Sequence, residues 1–587
     1  MARRILVLDG DCSAAIAIVQ SLGRAGDRVT LASVGVRGRA FRSRFVAERR
    51  AYPDPLIATR AFQDWATAQT DAQLIIPATD RTLVPLHEVR DRPALAGRVA
   101  LPPPRAMEVG IDKEAVRALA VELGIPVPET RIAASFADLD APELDAWLEQ
   151  PGAIVIKSTR SKVWSHGRGK ELPVQMVCDR EQLAIQAGQL LESGPVQLQR
   201  WVPGHGVGVE VLCDRGELVM TFAHERLHEL PLTGGGSCYR RAVEPPRELV
   251  AHAATLMRAL AWHGVAMVEF RWDPATGRAA MMELNGRFWG SLPLATFAGA
   301  DFPRALVDLV VDGVRPAPVV FRAASARQLG RDLMWLQQMA RLRVADLRRR
   351  GPPPPARRLV LDRPLAASVL EWARVATGRE TWDGLALDDP GPIVQEAIDY
   401  VAERANPRER LARRRSARVA VDAWRRPLGP VSRVLVLCNG NICRSPYAGV
   451  ALAARLPPSI EVRSGGFVGP ANRSAPPHIV AAAAEHGVPL ASHRSRVTSD
   501  DELAWADLVL IMDRRQELFL AARRATPAVL AKTRWLGGLA PRLGDPAVID
   551  PLDFSAPDVA RVLDHMDACI ARAADQILAY HRAPTRP

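Results

Sequence analysis

The hydrophobic pattern at the start of the chain predicts a β-α-β unit. The apolar run ILVLDGD (5–11) precedes an apolar-periodic stretch that ends at Gly26, and a second apolar run, RVTLAS (28–33), follows it. The stretch LIIPATDRTLVPLHEV (74–89) repeats the change from strand to helix. We therefore expect a small doubly wound α/β domain over residues 1–104, ended by a run of prolines.

The next three segments have different patterns. Residues 105–320 begin with a helix, DKEAVRALAVELG, and then carry many short strand-like runs, which predicts an antiparallel-rich α+β domain. Residues 321–430 are arginine-rich, are interrupted by GPPPPA at 351–356, and predict a helical connector. Residues 431–587 again alternate strand and helix patterns, which predicts a parallel sheet. The predicted fold class is therefore α/β and α+β multidomain.

Composition excludes several classes of protein. The chain has 587 residues, too many for one hydrophobic core, and no apolar run approaches the roughly 20 residues that span a bilayer. Its seven cysteines follow no disulfide framework, so we expect a cytoplasmic protein with reduced thiols and no membrane insertion. The net charge is +12, but no nucleic-acid motif accompanies it, and we expect no nucleic-acid partner.

Basic residues are unevenly distributed. Residues 404–426 hold nine arginines and form either a solvated linker helix or an anion-binding face. The chain has only five lysines, and four of them lie between Lys113 and Lys170. Because arginine is the usual cation in this chain, these lysines indicate positions that need a compact point charge.

The segment CNGNICRS (438–445) predicts a phosphate-binding loop. It joins the apolar run VLVLC to a helix N-terminus, where backbone N–H groups and the helix dipole attract an oxyanion. Cys438 is the candidate nucleophile, and Arg444 is the candidate bidentate ligand of two phosphate oxygens. Asp550, followed by the stiffening Pro551, is the candidate acid that protonates the leaving oxygen.

This segment resembles the signature of the low-molecular-weight protein tyrosine phosphatases, and the likeness extends through RSGG, SHRSR and ADLVLIM over about 431–580. The resemblance implies that Cys438, Arg444 and Asp550 are the nucleophile, the phosphate clamp and the general acid. It implies that four residues support the loop, namely Asn441, Ser445, Ser464 and His493. It also implies a reversible disulfide between Cys438 and Cys443 that shields the nucleophile from further oxidation.

Some positions depart from this family or bear on its relatives. Asn439 replaces a more usual loop residue, and Leu552 stands where the family often has an aromatic residue beside the substrate ring. Related arsenate reductases need further cysteines downstream, whereas only Cys569 follows Cys443. Related protein-arginine phosphatases carry Thr at the position of Ile442. Phosphotyrosine is therefore the expected substrate, and an inactive phosphate-binding relic is the alternative.

Lysines and acidic residues in the first half of the chain predict a nucleotide site. Lys113 and Lys157 suit the neutralisation of α- and β-phosphate charge. Glu269, Glu283 and Asn285 suit Mg²⁺, and the spacing of two places the last two on one face of a strand. Each of these residues, taken alone, also fits a solvated charge or a local ion pair.

In their order along the chain these stretches resemble the ATP-grasp superfamily, in particular its carbamoyl-phosphate-synthase-like carboligases, over about 1–310. The resemblance implies ATP and Mg²⁺ as cofactors, the acidic residues above as metal ligands, and Arg287 on the transferred phosphate. It implies an adenine-side hinge formed by Gln199, Arg200, Trp201 and Val202. It further implies an acyl phosphate, made from an unknown carboxylate, that an amine or similar nucleophile attacks. The segment LTGGGSCYRR (232–241) is either a lid over this cleft or an ordinary loop.

Three hypotheses for the whole chain follow. In the first, a phosphatase acts on phosphotyrosyl protein while the ligase half acts on an unknown carboxylate. In the second, the chain is a biosynthetic ligase whose phosphatase half removes phosphate from its own small substrate or product. In the third, the ATP-grasp half is an ATP sensor that regulates the phosphatase.

Overall fold

The computed structural model of the full chain divides into two compact units, Met1–Ala402 and Glu403–Pro587. It describes residues 2–581 except 150–151, 160–161, 166–167, 172–173, 192–193, 275, 318–319, 349–356, 358, 361–362, 406–415, 469–470, 523–524, 542–545 and 553–555. The proline run at 351–356 and much of the arginine-rich stretch 404–426 thus lie outside the described residues. Among the residues described, no helix is both long enough and apolar enough to cross a membrane.

A four-stranded parallel sheet in the order β3-β2-β1-β4 begins the first unit, as the sequence predicts. Its strands are β1 (Arg4–Val7), β2 (Arg28–Ser33), β3 (Val46–Ala51) and β4 (Leu74–Ile76). Its helices are α1 (Ser13–Arg24), the 3-10 helix Arg39–Arg42, α2 (Thr59–Thr67) and α3 (Asp80–Glu88). Because α3 follows the carboxyl end of β4, its first residue, Asp80, lies at the edge of the sheet where ligands of α/β proteins commonly bind.

A second, antiparallel sheet has the order β5-β10-β6-β9. Its strands are β5 (Thr130–Ala133), β6 (Ile154–Ser158), β9 (Gln175–Val177) and β10 (Val196–Arg200). Between β6 and β9 the chain forms a separate two-stranded hairpin of β7 (Lys162–Ser165) and β8 (Arg168–Glu171). The helices are α4 (Pro104–Gly110), α5 (Lys113–Glu122), the 3-10 helix Phe136–Asp140, α6 (Glu143–Leu148) and α7 (Arg180–Leu191). Ile154 and Ile156 pack in the core beneath α7, so the alternation of the strand directs Lys157 to the opposite face.

The central sheet of the first unit has seven strands in the order β15-β14-β11-β12-β13, followed by β16 (Ser325–Arg327) and β17 (Glu380–Trp382). The longer strands are β11 (His205–Asp214), β12 (Glu217–Leu230), β13 (Gly236–Ala242), β14 (Gly264–Asp273) and β15 (Arg278–Asn285). The helices around it are α8 (Arg247–Ala259), α9 (Leu292–Ala298) and α10 (Phe302–Asp312). Val207, Val209 and Val211 pack on one side with the residues of α8. The opposite side is apolar around Leu212 and Phe222, and polar further along the strands.

Residues 321–430 contain helices, as the sequence predicts, and also two strands that the sequence did not indicate. The helices are α11 (Leu329–Arg348), α12 (Leu365–Leu370), the 3-10 helix Glu371–Val375 and α13 (Gly391–Ala405). The strands are β16 (Ser325–Arg327) and β17 (Glu380–Trp382), which extend the central sheet beyond β13. The four-domain division at 104, 320 and 430 stays a prediction.

Buried ion pairs explain why an arginine-rich segment joins the core. Arg327 is fully buried, and its guanidinium donates to Glu380 and to Asp332 at 2.6 Å each. The same guanidinium lies 3.5 Å from the ring centroid of Tyr239 on β13. In the sequence, a buried arginine cannot be told from a solvated one, and a three-residue strand is too short to show alternation.

The second unit contains the predicted parallel sheet, in the order β19-β18-β20-β21. Its strands are β18 (Arg433–Cys438), β19 (Glu461–Gly466), β20 (Leu508–Ile511) and β21 (Thr533–Trp535). Its helices are α14 (Arg444–Ala453), α15 (Pro477–Glu485), α16 (Asp500–Trp505), α17 (Arg514–Ala522), α18 (Pro527–Ala531), the 3-10 helix Leu536–Leu539 and α19 (Ala556–His581). Trp424 also packs in this unit, because its indole N–H donates to the Trp535 carbonyl at 2.7 Å.

Candidate functional site

The candidate nucleophile lies at the carboxyl end of a central strand of the second unit. β18 ends at Cys438 and α14 begins at Arg444, so the predicted loop connects strand and helix directly. Cys438 is 3% exposed, and its Sγ accepts hydrogen bonds from the Asn441 backbone N–H (3.2 Å) and the Ser445 hydroxyl (3.1 Å). Two donors beside the N-terminus of a helix form an environment that stabilises a thiolate.

Asn441 holds the loop in shape through both its side chain and its backbone. Its backbone is left-handed, with φ of 54°, a conformation that asparagine tolerates better than most residues. Its Nδ2 donates to Ser445 Oγ (3.0 Å) and Ser464 Oγ (3.1 Å), and its Oδ1 accepts from the Arg496 N–H (3.0 Å). Its carbonyl accepts from His493 Nε2 at 2.8 Å. The other three predicted support residues, Ser445, Ser464 and His493, are therefore all hydrogen-bonded to Asn441.

His493 is held in its neutral form by its surroundings. Burial lowers the pKa of the imidazole below its ordinary value, against the hydrogen bond to Asn441, and the nearby Arg494 and Arg496 add to the shift. A neutral ring has one N–H, which is donated to the loop carbonyl. This contact is therefore maintained at neutral pH.

Arg444 is the charged group of the loop, and two carboxylates hold it. Its side chain is 1% exposed; Nη1 donates to Asp513 (2.6 Å) and to the Val548 carbonyl (2.9 Å), and Nη2 donates to Asp550 (2.5 Å). Burial opposes the charge, but Asp550, Cys438 and Asp513 together raise the pKa of Arg444 above its ordinary value. The structure thus brings the three predicted catalytic side chains, Cys438, Arg444 and Asp550, into one place.

Asp513 was missed by the sequence analysis. It follows Met512 immediately after β20, a strand that lies beside β18 in the parallel sheet. The carboxyl ends of parallel strands meet at one edge of a sheet, so an acidic residue directly after the neighbouring strand was a usable signal. Asp513 and Asp550 together place two negative charges on one guanidinium.

The positions that depart from the phosphatase pattern have structural partners. Asn439 Oδ1 accepts from Gln516 Nε2 at 2.5 Å, which ties the loop to α17. Leu552 is half-buried against the core of the second unit. Cys438 and Cys443 are both buried and neither is in a disulfide.

In the first unit, the proposed metal ligands meet on neighbouring strands. Glu269 on β14 lies opposite Glu283 on β15. Asn285 Nδ2 donates to Glu269 Oε1 and to Glu283 Oε1, at 3.1 Å each. Burial raises the pKa of Glu269, whereas Lys113 and Lys157 outweigh burial and hold the pKa of Glu283 below its ordinary value.

Both predicted lysines face these carboxylates. Lys113, the first residue of α5, has its Nζ 3.7 Å from Glu283 Oε2. Lys157 is 7% exposed; burial lowers the pKa of its ammonium to about 8, although the charges of Glu283 and Glu269 oppose the shift. Two lysines from different elements thus converge on one carboxylate, which no single segment of the sequence reveals.

Arg287 lies beside the same cluster. Its Nη2 donates to Asn285 Oδ1 at 3.0 Å, and its guanidinium pairs with Asp80 at 3.0 Å. The sequence analysis missed Asp80, although its position at the start of α3, the helix that follows β4, was a signal similar to that for Asp513.

The four predicted hinge residues have separate surroundings. Gln199 is 3% exposed and donates to Thr130 Oγ1 at 3.2 Å. Arg200 is half-exposed and pairs with Glu129 at 3.1 Å, away from the carboxylate cluster. The Trp201 N–H donates to the Ala153 carbonyl at 2.9 Å, which fixes the backbone of the segment. The Val202 carbonyl accepts from Arg271 Nε on β14 at 3.3 Å and so brings the end of the segment next to the strand of Glu269.

The segment 232–241 is in part a strand. Residues from Gly236 onward form β13, which pairs with β12 and β16, so only the preceding turn remains as a loop. Arg240 on this strand is 1% exposed and pairs with Asp383. Pairing on both sides explains why GSCYRR, without a clear apolar alternation, is a strand.

The ligand set of Glu269, Glu283 and Asn285 fits Mg²⁺ in its chemistry. It offers carboxylate and amide oxygens, and Mg²⁺ in nucleotide sites is usually held by one or two carboxylates together with phosphates and water. Within the part of the chain that the structure describes, no three His, Cys, Asp or Glu side chains form a metal cluster. The oxygen donors of the set suit a cation that phosphate oxygens also hold.

A comparison of families decides the identity of the second unit. The family model named Low molecular weight phosphotyrosine protein phosphatase matches residues 433–580. The low molecular weight protein-tyrosine-phosphatase Etp of Escherichia coli is 36% identical over 104 residues, which are 18% of this chain and 68% of Etp. Through its second unit, the chain belongs to the low-molecular-weight protein tyrosine phosphatase family.

Other members and relatives of the low-molecular-weight phosphatases match shorter stretches. The probable phosphatase EpsP of Ralstonia nicotianae is 36% identical over 93 residues, and this chain spans 63% of its length. A protein-arginine-phosphatase of Geobacillus stearothermophilus is 36% identical over 80 residues, which are 14% of this chain and 53% of that protein. The predicted family resemblance is confirmed.

The first unit matches a different family model. The model named ATP-grasp in the biosynthetic pathway with Ter operon matches residues 192–330, which confirms the ATP-grasp resemblance over these residues. Solved structures similar to this chain include N5-carboxyaminoimidazole synthetase from Staphylococcus aureus (TM-score 0.45, 12% identity, 58% of this chain and 86% of that one). They also include L-amino acid ligase from Bacillus licheniformis (TM-score 0.42, 18% identity, 55% and 79%).

Because Asp550 pairs with Arg444, we predict that Asp550→Asn binds orthovanadate more tightly than the natural chain does. The carboxylate competes with an anion for Arg444 and repels it, so its neutral replacement should tighten binding by about threefold or more. Calorimetric titration of the reduced full-length protein measures this change.

The matched control is Asp564→Asn, since this aspartate side chain is 71% exposed and lies on α19. We expect no change in vanadate affinity for the control. Weaker binding by Asp550→Asn than by the natural chain would contradict the competing role of the carboxylate.

Proposed function

We propose that the second unit hydrolyses phosphotyrosine in proteins through a cysteinyl-phosphate intermediate. The observation that carries this proposal is the 2.5 Å ion pair between Asp550 and Arg444, the residue that ends the loop beginning at Cys438. A nucleophile and a phosphate ligand from one loop meet an acid from a distant part of the chain there, as a phosphomonoesterase needs.

In the first step, the Cys438 thiolate attacks phosphorus and the bond to the tyrosyl oxygen breaks. Asp550, which takes up a proton from solvent once the phosphate has displaced it from Arg444, donates that proton to the tyrosyl oxygen, so that tyrosine leaves as a neutral phenol. Arg444 exchanges its carboxylate partners for two phosphate oxygens and remains on them as the phosphoryl group transfers. The Ser445 hydroxyl, 3.1 Å from Sγ, stabilises the thiolate before attack.

In the second step, water attacks the phosphorus of cysteinyl phosphate and the sulfur leaves as a thiolate. Asp550, now ionised, accepts a proton from this water and returns to its starting state. The Ser445 hydroxyl and the Asn441 N–H receive the returning negative charge on Sγ, so the same donors act in both steps. Inorganic phosphate is released.

Two features support phosphotyrosine over phosphoarginine. Ile442 in the loop carries no hydroxyl, whereas related arginine phosphatases carry Thr at this position. Relatives named protein-tyrosine-phosphatases match longer stretches of this chain than does the relative named protein-arginine-phosphatase.

We predict that Cys438→Ser abolishes hydrolysis of a phosphotyrosyl peptide and that Asp550→Asn lowers kcat by about 100-fold or more. The first variant lacks the nucleophile, and the second leaves the phenoxide without a proton donor. Turnover of the peptide and of p-nitrophenyl phosphate by the full chain measures both effects. The loss in Asp550→Asn should be smaller with p-nitrophenyl phosphate, whose leaving group needs less protonation.

Matched controls are Cys178→Ser and Asp564→Asn, which change the same residue types outside the loop. Both should retain natural activity. Full activity of Cys438→Ser would overturn the covalent mechanism, and an inactive natural chain would favour the relic alternative.

We further propose that the first unit is an ATP-grasp ligase that converts an unknown carboxylate to an acyl phosphate for attack by an amine or similar nucleophile. Mg²⁺, when bound with ATP at Glu269, Glu283 and Asn285, supplies neutralisation of phosphate charge. Lys113 and Lys157 converge there and would exchange Glu283 for phosphate oxygens. Arg287, which is next to Asn285, would hold the transferred phosphate.

The two halves could act independently, act in one biosynthetic reaction sequence, or be linked by ATP sensing. Assays of the separate activities distinguish these three hypotheses. Equal hydrolysis of phosphotyrosyl peptide by residues 427–587 and by the full chain supports independent action on protein. Action on a small phosphorylated ligase product alone supports the biosynthetic relation. A change in phosphatase turnover on addition of ATP, without release of ADP, supports ATP sensing.

The depressed pKa of Lys157 predicts that nucleotide affinity depends on pH. Only the charged ammonium attracts phosphate, and bound phosphate raises its pKa, so affinity is full below the ligand-free pKa of about 8 and falls as the pH rises through it. Affinity for the ATP analogue AMPPNP with Mg²⁺ should therefore weaken about tenfold between about pH 7 and pH 9.

The control is Lys157→Arg, whose guanidinium stays charged throughout this range. Calorimetry on both proteins should find a strong pH dependence only in the natural chain. A constant affinity of the natural chain from pH 7 to pH 9 would contradict the role of Lys157.

A further inference from the structure

A second arginine, Arg226, occupies the candidate metal site. It lies on β12, and its Nη2 is 2.5 Å from Glu269 Oε2, on the face of the central sheet that carries the carboxylates. Its Nη1 is 3.2 Å from the Gly235 carbonyl and 3.5 Å from Glu229 Oε1. Glu269 thus uses one oxygen for Arg226 and the other for Asn285.

The sheet is built to let Arg226 reach across an intervening strand. β11 lies between β12 and β14, and it carries glycine at 206 and 208 on this face. A Cβ at Gly206 would lie 2.8 Å from Arg226 Cδ, and a Cβ at Gly208 would lie 2.5 Å from His224 Cε1. Glycine at these positions therefore leaves room for side chains of β12 to lie over β11, which explains how an arginine two strands away contacts Glu269.

The position of Arg226 destabilises the folded protein, because its charge lies close to that of a second, buried arginine. Arg226 lies directly opposite Arg240 in the β12–β13 ladder, and like charges opposite one another in a sheet are destabilising. Asp383 compensates Arg240, while Arg226 depends mainly on Glu269 and has a buried Nε with no hydrogen-bond partner among the described residues. The carboxylate that holds Arg226 is thus Glu269, which in the proposed reaction binds the metal cation.

We propose that Arg226 is the internal counter-ion of Glu269 in the ligand-free site, that it leaves Glu269 when a divalent cation binds, and that it then binds the carboxylate of the acid substrate. This inference rests on the ATP-grasp function proposed above. The guanidinium, 2.5 Å from Glu269 Oε2, and a cation compete for the single negative charge of Glu269. The released guanidinium stays within a side chain's reach of the metal site, where the acid substrate must lie to be phosphorylated.

Two consequences follow from this exchange. Arg226 and a divalent cation compete in the absence of substrate, so the metal alone binds weakly. A carboxylate that binds the released Arg226 favours metal binding, and by linkage the metal favours the carboxylate to the same extent. The site therefore assembles its metal and its acid substrate together.

The test measures binding of Mn²⁺ alone by paramagnetic resonance, at one fixed pH for all proteins. We expect Arg226→Met and Arg226→Gln to bind Mn²⁺ at least about tenfold more tightly than the natural chain. The matched control is Arg241→Met, which removes an arginine from the neighbouring strand; its side chain is 48% exposed and pairs with Glu225. The control should bind Mn²⁺ as the natural chain does.

A second arm uses acetate as the carboxylate probe, with chloride at the same ionic strength as reference. Acetate should tighten Mn²⁺ binding by about twofold or more in the natural chain and in Arg241→Met. It should have no such effect in either Arg226 variant. An equal effect of acetate in all four proteins would overturn the role of Arg226 as a carboxylate ligand.

Binding of AMPPNP separates this inference from the proposed function. If the Arg226 variants bind the nucleotide with Mg²⁺ but bind Mn²⁺ alone no more tightly than the natural chain, the counter-ion role is wrong and the ATP-grasp function stands. If the natural chain binds no nucleotide, the proposed function fails, and the Mn²⁺ titrations still decide whether Arg226 competes with a cation.

Discussion

A charged group that is removed from water needs a counter-charge, and both candidate sites depend on this constraint. In the second unit, the buried Arg444 is held by Asp513 and Asp550. In the first unit, Glu269 is held by Arg226, and Glu283 by Lys113. The residues proposed to bind phosphate or a cation thus have their charge neutralised, in the absence of ligand, by oppositely charged residues of the same site. Ligand binding then exchanges partners instead of creating new buried charge.

The architecture provides these pairs in two different ways. In the parallel sheet of the second unit, Cys438 ends β18 and Asp513 follows the adjacent β20, so the ends of neighbouring strands bring them to one edge. In the antiparallel central sheet of the first unit, Glu269 and Glu283 lie opposite each other on adjacent strands, and their cationic partners come from β12 and from α5. The reach of Arg226 over β11 further requires glycine on the strand between. A Cβ at Gly206 would therefore affect a charge pair and not only local packing.

Features formed by consecutive residues could be predicted from the sequence, whereas contacts set by strand order and register could not. The loop from Cys438 to Ser445 could be predicted because its residues are consecutive and their chemistry is local. Asp513 and Arg226 could not be predicted with equal ease, because their partners are far away in the sequence and are set by strand order and register. The strand that contains Arg327 was missed for a related reason, since only its buried ion pairs distinguish it from a surface segment.

The central claim is that each site exchanges an internal ion pair for its ligand. The most direct measurement is a crystal structure of the full chain with orthovanadate in the second unit. The account predicts that both terminal nitrogens of Arg444 donate hydrogen bonds to vanadate oxygens and that its 2.5 Å contact with Asp550 is broken. Vanadate bound above Cys438 with the Arg444–Asp550 pair unchanged would contradict the account.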